Sequence, residues 1–230
     1  KTFVEHGFNC LAMLINEAAT LTAVQEMLDT VSLTCTKKVK SRFVVYFSTP
    51  TLVKNGKSYL CLSGADIEKL RQTCLPVSSL MDFFLEIDCI HQLLLSDCKD
   101  FRTYLTTDAI CRPYSDFDTE TPAMHAVYTS NASEIDDEDE MISSFVKYIL
   151  AALNGEVNDF KKLKQFSTLS NMYSNIQSTI RQESRSKNML DIKFKIIHPI
   201  HKNKQSVSSQ MVFYNPQLRD DEDIQKDQTN

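Results

Sequence analysis

Glycine supplies only four of the 230 residues, Gly7, Gly56, Gly64 and Gly155. A globular chain ordinarily spends about 7% of its positions on glycine. Phosphate-cradling loops and the closely spaced turns of all-β repeats need a residue that reaches positive φ without a Cβ clash. This chain has too few for either, and no G-x-G-x-x-G, P-loop or G-x-S-x-G run occurs in it. Its turns must therefore come from a few placed residues, and its interior from side chains. Apolar residues make up 42% of the sequence, without a single tryptophan. A chain of this length can bury one large core or two small ones. No apolar run approaches the roughly 18 residues of a membrane span, so no membrane is expected.

The clearest local signal lies within residues 43–62. Phe43-Val44-Val45-Tyr46-Phe47 and Ser58-Tyr59-Leu60-Cys61-Leu62 are dense in β-formers, with Lys54-Asn55-Gly56-Lys57 between them. Asn-Gly tolerates positive φ at both central positions of a type I′ turn, which predicts a β-hairpin of these two runs. Ser63, three residues before Asp66, then reads as a helix cap. Residues 3–29 carry apolar side chains at spacings of three to five, which predicts one or two helices. Residues 65–111 read as two or three helices, with Pro76 ending one and opening the next. The stretch from Leu80 to Leu95 is apolar on nearly every side, the mark of a buried central helix. Residues 140–153 and 157–184 predict two more helices, broken near Asn154-Gly155. Ile192, Phe194 and Ile196 alternate with Lys193 and Lys195, and Val207 to Tyr214 is the expected partner strand. The expectation is an α+β fold, mostly helical, with a hairpin near 43–62 and a second strand pair near 190–214.

Four segments follow. Residues 1–111 hold the main core, and 112–139 read as an acidic linker or long loop. Residues 140–214 join a helical pair to a basic strand pair, in the same domain or a second one, and 215–230 form an acidic tail. The net charge of −5 conceals a strong asymmetry along these segments. Residues 112–139 hold eight acids against one base, and residues 157–204 hold ten bases against three acids. Solvated surface is one reading of the basic third, and an anion-binding face is the other. On that second reading the contacting residues are Lys161, Lys162, Lys164, Arg181, Arg185, Lys187, Lys193 and Lys195. Phe166, Tyr173 and Phe194 fall at core spacing rather than as a stacking platform, and the sequence pI of 5.6 is low for a dedicated nucleic-acid binder.

The seven cysteines, Cys10, Cys35, Cys61, Cys74, Cys89, Cys98 and Cys111, show no C-x-x-C spacing. Cys10, Cys61, Cys74 and Cys89 sit among apolar neighbours and read as reduced core residues of an intracellular protein. A secreted, disulfide-bonded chain is the rival, supported only by the Asn131-Ala132-Ser133 sequon. Asp82, Glu86, Asp88 and His91 would share faces of the expected central helix, but a bundle metal site needs a second such set. His198-Pro199-Ile200-His201 reads as a turn, not a metal pair. Cys89 and His91 point to different faces of a helix, and Cys89 lacks the electropositive setting of a nucleophile.

The expected function is therefore a non-catalytic interaction module, a scaffold or adaptor. It is expected to belong to a larger protein or complex and to bind another protein or a second copy of itself. No catalytic residue, metal or cofactor is assigned. Nucleic-acid binding by the basic third is the alternative. Lys37-Lys38-Val39-Lys40 and Lys161-Lys162-Leu163-Lys164 resemble nuclear-import peptides and favour the nucleus over the cytoplasm. No signal-peptide pattern opens the chain.

Overall fold

The computed structural model describes residues 2–35, 41–87, 89–98, 123–129, 143–154, 166–187, 194–200 and 212–214. Within them the chain is a mixture of α and β structure built on a four-stranded sheet. Its strands are β1 (Arg42–Phe47), β5 (His91–Ser96), β6 (Ala123–Thr129) and β8 (Phe194–Ile200), side by side in that order. The first three run parallel, and β8 closes the row antiparallel to β6. A parallel pair needs a crossover of a dozen or more residues. Between β1 and β5 that crossover contains a small second sheet and two helices. The small sheet orders β2 (Thr51–Lys54), β3 (Lys57–Leu60) and β4 (Leu75–Pro76), all antiparallel.

Helices cover both faces of the large sheet. On one face lie α2 (Leu21–Cys35) and α4 (Val77–Glu86), whose Val24, Val31, Leu80, Met81 and Phe84 pack with Leu94 and Ala126 of the sheet. On the other lie α5 (Ser144–Leu153) and α6 (Leu169–Lys187), whose Phe145, Ile149, Met172 and Ile176 pack with Leu93, Leu95 and Val127. Period-two alternation along β5 sends Leu94 to one cluster and Leu93 and Leu95 to the other. The strand is thus buried at every position. The remaining elements are short: α1 (Thr2–Glu5), α3 (Leu70–Thr73), and β7 (Phe166–Thr168) paired antiparallel with β9 (Val212–Tyr214). Among the described residues no helix is long and apolar enough to cross a membrane.

Several expectations change form. The run from Leu80 to Leu95 is not one helix. Helix α4 stops at Glu86, and residues 91–96 form the central strand. A strand covered on both faces is apolar at every position, so it shares its pattern with a buried helix. The Asn55-Gly56 turn is present, with φ of 53° and 74°. It joins β2 to β3, whereas Phe43–Phe47 leaves the hairpin to pair with β5. Ser63 does not cap a helix. Its N–H bonds to the Ala19 carbonyl, and Asp66 is the cap, accepting from the Glu68 N–H at 2.9 Å. Residues 3–29 hold α1, a single 3-10 turn at Asn16–Ala18 and the first part of α2, with irregular chain between. Residues 123–129, inside the expected aperiodic linker 112–139, form β6, whose Met124 to Val127 are buried. The expected pair near 190–214 consists of two real strands with other partners, β8 on β6 and β9 on β7.

Pro76 and Ser143 act as their chemistry dictates. Pro76 separates α3 from α4 and stands at the N-cap of α4 with φ −63°. Ser143 caps α5, its hydroxyl accepting the Val146 N–H at 3.2 Å.

Candidate functional site

In open α/β sheets, ligands bind outside the carboxyl ends of the parallel strands. Here β1 and β5 end side by side, and the polar side chains of the neighbourhood collect there. The Asp97 N–H donates to the Phe47 carbonyl at 2.9 Å and carries the pairing one residue past β5. That places the Asp97 carboxylate at the rim of the sheet. Its Oδ2 accepts the Tyr46 hydroxyl at 3.3 Å and the Ser143 hydroxyl from the N-cap of α5. Asp97 therefore lies beside a helix N-terminus, where the dipole favours negative charge.

Cys98 is buried directly beyond, its thiol donating to the Phe47 carbonyl at 3.6 Å. Burial pushes the Cys98 thiol up, Ser96 and the Thr49 backbone pull against it, and the Asp97 carboxylate adds a smaller upward push. A nucleophilic cysteine needs the opposite setting, with positive charge or a base at hand and access to solvent. Tyr46 is held likewise: burial of part of its ring and the adjacent Asp97 push its hydroxyl up to about 12, against the pull of Ser48. The chemistry of this rim is thus protonated and internally bonded. One carboxylate accepts two hydroxyls, and one thiol donates to a carbonyl.

The positions singled out in the sequence do not assemble here. Asp82 and Glu86 are exposed on α4, His91 is buried on β5, and Asp88 lies outside the described residues. His91 instead meets His125 of β6, their rings 6.0 Å apart on the α5–α6 face of the sheet. His198 and Pro199 belong to β8 rather than to a turn, and His201 lies outside the described residues. The register to β6 shifts by one between Ile197 and Ile200, so Pro199 occupies an irregular point of an edge strand, where proline is tolerated. Among the described residues no three His, Cys, Asp or Glu side chains gather as metal ligands would.

Of the basic set, Arg181 is exposed on α6, with Arg185 and Lys187 in its last two turns. Lys195 lies on β8, and Lys161, Lys162, Lys164 and Lys193 fall outside the described residues, as do Lys37, Lys38 and Lys40. Sequence reasoning passed over Asp97, Tyr46 and Ser143. Their one signal is an acid directly following a buried strand, which shows only once 91–96 is read as a strand.

Large apolar side chains are exposed elsewhere. Residues 8–15 form neither helix nor strand, and Leu11, Met13 and Ile15 at alternate positions are 58%, 72% and 56% exposed. Phe8 packs on the α5–α6 cluster and Leu14 on the α2–α4 cluster, so the segment is tethered to both sides of the sheet. In comparison with known proteins, no family model and no curated protein matches this chain.

Proposed function

We propose that this chain is a non-catalytic interaction module, a scaffold or adaptor within a larger protein or complex. It docks on another protein or on a second copy of itself. The observation that carries the reading is the display of Leu11, Met13 and Ile15 to solvent on a segment tethered on both sides of the sheet. Large apolar side chains left exposed at alternate positions of one tethered segment offer a surface to a partner. The rim at Asp97 and Cys98 supports the same reading, since its polar groups are committed to one another and its thiol is held protonated. We place the protein inside the cell, with the nucleus ahead of the cytoplasm, on the lysine clusters at 37–40 and 161–164.

The test compares the wild type with the triple variant Leu11→Ser, Met13→Ser, Ile15→Ser. Sedimentation velocity reads self-association, and proximity labelling in cells reads partners. The variant should lose a dimer, or a defined set of labelled proteins, while its thermal midpoint stays within about 2 °C. An unchanged sedimentation coefficient and an unchanged labelled set would sink the proposal.

The second reading is nucleic-acid binding, favoured by exposed Arg181 and by Arg185 and Lys187 following it along α6. Titration with labelled single- and double-stranded oligonucleotides across a salt series decides it. Phosphate contacts make affinity fall steeply as salt rises. On this reading the charge reversals Arg181→Glu and Arg185→Glu weaken binding and flatten the salt slope. Absence of binding at low salt removes it.

A further inference from the structure

Two cysteines far apart in sequence meet inside the molecule. Cys35 ends α2, and Cys89 lies in the short connection between α4 and β5. Their sulfur atoms are 2.7 Å apart, across a sequence separation of 54 residues. A disulfide bond is about 2.0 Å long, so the pair needs only a small further approach to become covalent. Both are buried, at 6% and 2% exposure, in the core cluster between α2, α4 and the sheet.

The surroundings hold them in that position. The buried Gln92 side chain donates from Nε2 to the Ile87 carbonyl at 3.2 Å and to the Cys89 carbonyl at 3.3 Å, fixing the connection that carries Cys89. The Ile90 N–H donates to the Ser41 carbonyl at 2.9 Å, which fastens the same connection to the start of β1. On the other side, Val31 is 1% exposed one turn before Cys35, which anchors the end of α2. The other described cysteines are placed differently. Cys10 is exposed, Cys98 donates to the Phe47 carbonyl, and Cys61 lies opposite Cys74 just past the β3–β4 pairing.

We propose that Cys35 and Cys89 are a site of oxidative modification and close to an intramolecular disulfide when a small-molecule disulfide such as oxidised glutathione is present. Fraying of the last turn of α2 admits the small disulfide to Cys35, the more accessible of the two, whose thiolate attacks one sulfur of glutathione disulfide and expels one glutathione. Cys89 then attacks the Cys35 sulfur of the mixed disulfide and expels the second. Two electrons pass from the cysteine pair to the small disulfide, two thiol protons are lost from the protein, and two molecules of reduced glutathione leave. The product ties the end of α2 to the entry of β5 through a loop of more than fifty residues. A cross-link of that span restricts the unfolded chain strongly. The proposal does not depend on which partner the module binds.

The experiment incubates the folded wild-type chain with reduced or oxidised glutathione, quenches in acid, unfolds, and alkylates the remaining thiols. Trypsin with Asp-N leaves each of the seven cysteines in its own peptide. The expected result is a cross-linked Asp29–Lys37 and Asp88–Ser96 pair, in chain about 2 Da lighter, with Cys35 and Cys89 both missing from the alkylated fraction. The thermal midpoint should rise by roughly 10 °C on oxidation, and that rise should vanish in Cys35→Ser and in Cys89→Ser. After full equilibration, alkylation of both cysteines, a glutathione adduct retained at either one, or linkage of either to another cysteine would overturn the proposal. The peptide map needs only the wild-type chain, so it decides the matter even where a variant fails to fold.

Discussion

Tyr46 is 44% exposed at the rim of the sheet, yet its hydroxyl is pushed up to about 12 by partial burial and the carboxylate it donates to. A free tyrosine ionises near 10. The folded state holds the proton more tightly than the unfolded chain. This contribution to stability is therefore complete below about pH 10 and is lost as pH rises from there toward 12. The difference between the absorbance titrations of wild type and Tyr46→Phe should show a tyrosine ionising near pH 12, and a midpoint near 10 would contradict the geometry at Asp97. Gly56 offers a second residue-scale test. It sits at φ +74° with nothing within 4 Å of where a Cβ would stand. Gly56→Ala should thus cost only the backbone penalty, about 1 kcal/mol, read from urea denaturation. The Asn55-Gly56 turn was legible from two residues because a type I′ turn depends on local φ alone. Asp97 was not, because its significance comes from Tyr46 and Ser143, 51 and 46 residues away.

Elements were legible where their signals are local. Helix α5 begins at the Ser143 cap and carries the stripe Phe145, Ile149, Ala152 and Leu153 into the core, as its 3.6-residue period requires. Ser143→Ala should cost about 1 kcal/mol from the lost cap, lowering the thermal midpoint by roughly 3 °C. It also removes one of the two hydroxyls on Asp97. An unchanged midpoint would mean that the cap contributes nothing. Over residues 80–95 the apolar period vanishes because every side is covered, so helix and strand share one pattern there. Helix α4 reaches only Glu86, with Ile87 already extended at its C-cap, and His91 opens the strand. Met124 to Val127 escaped notice for the opposite reason, as a short apolar run among Pro, Ser, Thr and acids that carries no length of its own.

At the scale of the whole molecule, the interior strands β5 and β6 join the two apolar clusters, as β5 shows. Leu94 belongs to the one beneath α2 and α4, and Leu93 and Leu95 belong to the one beneath α5 and α6. Truncation on either face should therefore weaken one cooperative unit. Phe84→Ala on α4 and Phe145→Ala on α5, both 0% exposed, should each cost about 4 kcal/mol. Each should shift one shared unfolding transition, followed by circular dichroism in urea. Two separated transitions, with each variant moving only its own, would show that the clusters fold independently.

By itself the sequence determined the turn at Asn55-Gly56, the break at Pro76, a helix within residues 140–153 and the mixture of helices and strands. Each of these rests on dihedral preferences or on the period of a few consecutive side chains. Only the tertiary structure decided which strand lies beside which. Phe43 to Phe47 could pair with its neighbour in sequence, and does so in no part. It lies against His91 to Ser96, because a strand buried on both faces needs a partner along each edge and helices above and below. That choice is made by burial summed over residues from Val24 to Ile180, a sum that no local window contains. The same assembly brings Asp97 to Tyr46 and Ser143, and Cys35 to Cys89.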